Sequence, residues 1–154
     1  MDDAAQEVQF QEKGYALMDQ FLRMFQWGFE GSLFVLMTPI GWGLVLLAGI
    51  TGWIAVLDKK WPVQTWCFLA WPLLMSILVI AWGQANWHEP GQSASDPKSR
   101  ILMCFMGVYL LGAGVAIYFN RRGRAATTAV LSLGSFLFLG CTMVSAMAIT
   151  GNWL

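Results

Sequence analysis

One stretch of the chain sets a histidine beside an acid: Trp87-His88-Glu89, which holds the only histidine. Two chemistries use such a residue. A catalytic zinc needs about three protein ligands, and no other histidine and no cysteine stands at ligand spacing from His88. A haem iron would need a second axial ligand. Met103 and Met106 would fall near the same face, but nothing in the pattern selects them from the nine methionines. His88 is therefore expected to be a solvated loop histidine, and no metal or cofactor is expected. Cys67, Cys104 and Cys141 all fall inside apolar runs and read as small packing residues. The 83–100 segment contains Glu89, Ser93 and Asp96 without a nucleophile–base–orienter spacing. No glycine-rich phosphate loop and no paired-carboxylate motif appears. The expectation is a protein that is not an enzyme.

The elements that would hold these residues are easier to read. Four stretches, 33–57, 61–82, 101–119 and 125–150, carry no charged residue. At 1.5 Å per residue, roughly 20 apolar residues cross the ~30 Å hydrocarbon core of a bilayer. The chain is 57% hydrophobic and 12% charged, where soluble proteins are about a quarter charged. Its net charge is zero, so no basic excess exists to hold nucleic acid. The pattern predicts an all-α integral membrane protein. Four transmembrane helices would form two antiparallel hairpins, preceded by an amphipathic interfacial helix. The division is 1–32 for that helix and a corner, and 33–154 for the bundle. The opening Met-Asp-Asp and the late first apolar run do not make a signal peptide, so Met1 is expected to be retained.

Charge predicts the orientation. Asp58-Lys59-Lys60 and Asn120-Arg121-Arg122-Gly123-Arg124 place five basic residues in two short turns. Positive residues near span ends stay cytoplasmic. Both termini and the 83–100 loop then lie outside, in an inner (plasma) membrane whose bacterial origin is suggested by the compact loops. Lys59, Lys60, Arg121, Arg122 and Arg124 are also the candidates for lipid headgroup contact. Trp53, Trp61 and Trp66 flank the inner turn, and Trp27, Trp82, Trp87 and Trp153 mark the outer level. Trp42 and Trp71 are expected deeper.

Residues 5–29 read as an amphipathic helix. Phe10, Gly14, Leu17, Met18, Phe21, Leu22, Phe25 and Phe29 follow three- and four-residue steps, and Glu12, Asp19, Gln20, Arg23, Gln26 and Glu30 fall opposite. Its polar face is acidic, which argues against targeting by lipid charge. It reads either as an anchor lying in the interface or as an arm that docks on a partner through Phe21, Phe25 and Phe29. Gly28, Gly31 and Ser32 offer a corner before the first span.

Membrane helices approach where residues are small. Ala48 with Gly52, Gly112 with Ala116, Cys141 with Ser145, and Thr142 with Ala146 are spaced for this. Pro39 and Pro72 are expected to kink spans 1 and 2. No ionisable residue falls inside any predicted span, which disfavours proton relays, ion-coupled carriers and voltage sensors. Hydroxyls within the spans are expected to bond their own backbones.

The expected function is that of a non-catalytic subunit that packs and docks within a larger membrane complex, a transport, secretion, conjugation or electron-transfer machine. Its partners would be membrane lipids and other membrane subunits. A homo-oligomeric pore is the alternative, with Ser132, Ser135, Thr142 and Ser145 as its candidate lining. A redox subunit holding haem or metal through His88 is the third.

Overall fold

A computed structural model describes residues 2–58, 63–87, 97–121 and 123–151. Five α-helices make up the described fold: α1 (Asp2–Leu36), α2 (Pro39–Leu57), α3 (Ala70–Ala85), α4 (Pro97–Phe119) and α5 (Arg124–Thr150), with a 3-10 helix, Val63–Leu69, leading into α3. No strand occurs among the described residues. Four helical stretches are long and apolar enough to cross a membrane: Pro39–Leu57, Thr65–Ala85, Arg100–Phe119 and Arg124–Thr150. The chain is thus a multi-pass membrane protein.

The two prolines act at helix starts. Pro39 is the first residue of α2, where the missing N–H would have no intrahelical partner. The residue before a proline is pushed out of the helical region, and Thr38 is extended (φ −94°, ψ 155°). Its hydroxyl donates to the Val35 carbonyl at 2.7 Å and accepts from Gly41 N–H at 3.1 Å. α1 therefore ends and α2 begins within two residues. A side chain at Gly41 would strike the Val35 carbonyl oxygen, so the bend needs glycine there. Pro72 sits in the first turn of α3, not mid-helix, because the chain before it is wound as a 3-10 helix. Its ring and missing donor thus fall where an α-helix tolerates them.

α5 is the hub, in contact with every other helix. α3 runs parallel to it, with Pro72 beside Gly134 and Gly83 beside Ser145. α4 runs back along it. Asn120 Nδ2 donates to Thr127 Oγ1 at 2.7 Å, and the Tyr109 hydroxyl lies 2.7 Å from Ser135 Oγ. The Tyr109 ring stacks on Phe138 at 4.2 Å between centroids. α2 packs mainly on α5 and also on α1, with no comparable contact to α3. The expected pairing of spans 1 and 2 as a hairpin is therefore not the packing seen. Small residues decide this: the α5 surface offers Ala129 to Gly52, at 3.8 Å from the position a Cβ would take, and close approach is what drives association in lipid.

Candidate functional site

α1 departs most from its expected place. It is one continuous helix through Gly28, Gly31 and Ser32, and the corner comes later, at Met37 and Thr38. Nor does its described part lie apart from the spans. Gln84, one residue from the end of α3, donates to the Leu17 carbonyl at 2.7 Å. Met24 is fully buried in a cluster with Ile80, Cys141, Val144 and Ala148. From Leu17 onward, α1 descends antiparallel to α3 and α5.

The contact seam of α1 is Met24, Gly28, Gly31 and Val35, all buried and spaced four, three and four apart. It works because both helices are bare. A Cβ on Gly140 would strike the Gly28 carbonyl oxygen and lie 2.6 Å from Ser32 N. A Cβ on Gly28 would lie 2.6 Å from Cys141 Sγ. The glycines expected to make a corner instead let two backbones touch, which is the general role of small residues between membrane helices.

Beside this seam runs a polar row, Asp19, Arg23, Gln26 and Glu30. Arg23 pairs with Asp19 at 2.9 Å, and Gln26 Nε2 donates to Glu30 Oε1 at 3.0 Å. Glu30 borders a groove of about 340 Å3 between α1 and α5, lined by Trp27, Glu30, Gly31, Phe34, Met143, Val144 and Met147. Its side chain is exposed. Among the described residues no cation lies within ion-pair range of it, and Gln26 is its hydrogen-bond partner.

The depth of Glu30 follows from its neighbours. The next residue, Gly31, sits against Gly140 and Val144 of α5, six to ten residues before Thr150. At 1.5 Å per residue this puts the Glu30 backbone roughly 9–15 Å inside the end of α5. α5 has 27 residues, roughly 40 Å, which exceeds a ~30 Å core by about 10 Å. Even with all of that surplus outside the core at this end, the Glu30 backbone stands at or inside the boundary. Helical side chains lean toward the N-terminus, so the carboxylate points back up along α1 toward Met147. The span expected to begin at residue 33 thus has a charged and amide-bearing lead-in packed against the C-terminal half of α5.

The other expected residues fall as follows. Phe21 and Phe25, expected to face a partner, are partly buried against the Met24 cluster, and Phe29 is 63% exposed. The approach of Gly28 and Gly31 to α5 carries those two rings inward with the helix. Gly112 lies against the Trp71 ring, whose indole N–H donates to the Tyr109 carbonyl at 3.2 Å; Ala48 and Ala116 are half-buried. Arg121 and Arg124 are exposed at the turn end of the bundle, with Arg121 5.6 Å above the Tyr118 ring. Lys59, Lys60, Arg122 and His88 lie outside the described residues. Thr51, Ser76, Ser135 and Thr142 donate to carbonyls of their own helices. Ser145 instead donates across to the Val79 carbonyl of α3 at 2.9 Å. Ser132 and Ser145 are buried, so those two hydroxyls line no open surface of a single chain.

Sequence reasoning does not single out Met24, Gly140 and the Gln26–Glu30 pair as a site. The available signal is Gly28-x-x-x-Ser32, a small-xxx-small step four residues long, which lets a neighbouring helix approach closely. The sequence matches no family model, and no characterised protein or solved structure is detectably similar to it.

Proposed function

We propose that this protein is a non-catalytic, multi-pass subunit of a larger membrane assembly and that it docks through the exposed flank of α1. The observation that carries this reading is Glu30: an exposed carboxylate on a helix packed against the C-terminal half of α5, itself long and apolar enough to cross a membrane, with Gln26 and Arg23 on the same flank. Acidic groups at that depth are costly against lipid and usually face a protein interior, a partner or water. The outer faces of α2 and α4 offer no such group. They present Ile50, Trp53, Leu110 and Leu111, all exposed and apolar, as lipid-facing helices do. On the charge of the two basic turns we place those turns on the cytoplasmic side of a bacterial inner membrane, with both termini outside.

The test is native mass spectrometry of the protein extracted from its own membranes in mild detergent. Different chains at a fixed ratio support the subunit reading. One species in several copies moves the homo-oligomeric pore to first place. That second reading draws on the same row, since acidic rings above a hydrophobic constriction can gate an ion path. The row ends at Glu30, and the next positions on that side, Leu33, Phe34 and Met37, are apolar. Conductance of reconstituted vesicles separates the two. A haem band in the absorbance spectrum that is lost in His88→Ala would instead favour the redox reading.

A further inference from the structure

Glu30 has a counterpart of opposite sign on the same chain. Arg100, in the first turn of α4, is exposed and makes no ion pair among the described residues. It borders a groove of about 250 Å3 between α4 and α5, whose lining includes Met103, Met106, Thr142, Ala146 and Thr150. Glu30 borders the α1–α5 groove with Met143, Val144 and Met147. The α5 residues of the two grooves interleave in number, so the two charges stand at one level along that helix. At 3.6 residues per turn the two sets are centred roughly 100° apart around α5. One chain therefore offers an acidic edge and a basic edge at the same height.

We infer that a second copy of this chain occupies the α1–α5 groove, with its α4 edge against the groove and its Arg100 on Glu30. The inference rests on the reading above that the flank of α1 docks, and it names what meets that flank. Copies inserted with one topology hold each residue at the same depth, so contact between them joins groups at equal depth. Among the described cations Arg100 meets this condition. Arg23 stands seven residues from Glu30, about 10 Å toward the outer end, and is paired with Asp19. Lys98 is half-buried, and Arg121 and Arg124 stand at the opposite end of the bundle. Contact between like edges sets Glu30 against Glu30 or Arg100 against Arg100, which charge disfavours. An exposed ion pair adds little strength; its part here is to choose the edges and their register. The contact itself falls to the apolar grooves, where Met143 and Met147 of one copy and Met103 and Met106 of the other adapt to each other.

The experiment uses full-length chains in their native membranes, with the exposed Cys67 and Cys104 changed to Ser. One copy carries Met143→Cys, a second and differently tagged copy carries Met103→Cys, and a short bifunctional thiol reagent links them. The control is Ile50→Cys with Leu111→Cys, two exposed apolar positions on α2 and α4. The expected result is a link between the two tags well above the control. Glu30→Arg in both copies, or Arg100→Glu in both, sets like charges face to face and lowers the yield by about tenfold or more. Glu30→Gln lowers it less than either reversal. Both reversals in the same chain restore it, an outcome that loss of fold in the single variants cannot produce. A yield no higher than the control overturns the inference, as does a yield unmoved by the single reversals or not restored by the double one. Native mass spectrometry separates the inference from the subunit reading. Other chains at a fixed ratio with one copy of this chain overturn the inference and leave that reading. One species in several copies, with the link present, supports the inference and removes the larger assembly.

Discussion

Replacing Gly140 by alanine adds one methyl group, and the geometry says that this is among the least tolerable places in the chain to add it. The new Cβ would meet the Gly28 carbonyl oxygen, with Ser32 N at 2.6 Å and Ser32 Cα at 3.0 Å. All three are backbone atoms of α1, so no rotamer change relieves the clash. Carbon contacts settle near 3.5–4.0 Å, so α1 must retreat by about 1 Å, and a gap of that size forfeits a quarter to a half of each contact's attraction along the seam. Overpacking of this kind costs about 3 kcal/mol at the upper end of its usual range. Alanine recovers about 1 kcal/mol through its better helix propensity. The net expectation is a loss of about 2 kcal/mol, roughly 30-fold in the folding equilibrium. Gly31→Ala is the internal control. Its Cβ would find Gly140 O at 3.4 Å and Val144 Cγ2 at 3.7 Å, ordinary contacts, so its cost stays under about 1 kcal/mol. Both variants are compared with the native protein by SDS titration in mixed micelles, read by tryptophan fluorescence. Equal midpoints for Gly140→Ala and Gly31→Ala would refute the claim that α1 and α5 are held by backbone contact.

Three further outcomes follow from the same structure. A methyl group added at Gly49 or Gly107 would find nothing within 4 Å, so Gly49→Ala and Gly107→Ala should be neutral or stabilising by up to about 1 kcal/mol in the same titration. Ser145→Ala removes the bond to the Val79 carbonyl and should cost about 0.6 kcal/mol, the average for such bonds between membrane helices; a loss above about 2 would show that Ser145 does more than bridge α3 and α5. Gly112→Ala places a Cβ in hard overlap with Trp71 Cζ2 and should displace the indole, breaking its bond to the Tyr109 carbonyl. The indole N–H resonance of Trp71 should shift, and an unmoved resonance would contradict the packing of α4 on α3.

The spans are legible in the sequence because they depend on a coarse property, some 20 residues without charge, that the bilayer imposes. Their partners are not. The spacing of Cys141 and Ser145 marks a bare face on α5 but cannot say that α1 and α3 share it. The short 58–60 connection suggests that spans 1 and 2 pair, yet Gly52 faces Ala129 instead. The pattern of α1 misleads for a physical reason. A wide apolar stripe marks what a helix could bury and not what it does bury: Leu17, Met18, Leu22 and Phe29 stay exposed, while the narrow Met24–Gly28–Gly31–Val35 seam makes the contact. Gly28, Gly31 and Ser32 suggest a corner because glycine permits both a bend and a close approach, and the sequence alone does not distinguish them. The actual bend is set by Thr38-Pro39, whose extended Thr38 and N1 proline form a helix stop and start together.

The distribution of polar groups links fold to function. α5 spends its small and hydroxyl residues inward: Gly134 under Pro72, Gly140 under α1, Ser145 on Val79. Once α5 has satisfied the other helices, the middle stretches of α2 and α4 present apolar residues outward, among them Ile50, Trp53, Leu110 and Leu111. The exposed flank of α1 carries a row of polar groups from Asp19 to Glu30. Asp19 and Arg23 satisfy each other, and Gln26 offers Glu30 a neutral donor, not a countercharge. A neutral amide orients a carboxylate without cancelling its charge, so among the described residues the row is one cation short at Glu30. An i, i+4 pair of this kind stabilises an isolated helix by only about 0.2–0.5 kcal/mol. On the subunit reading proposed above, a partner supplies that charge.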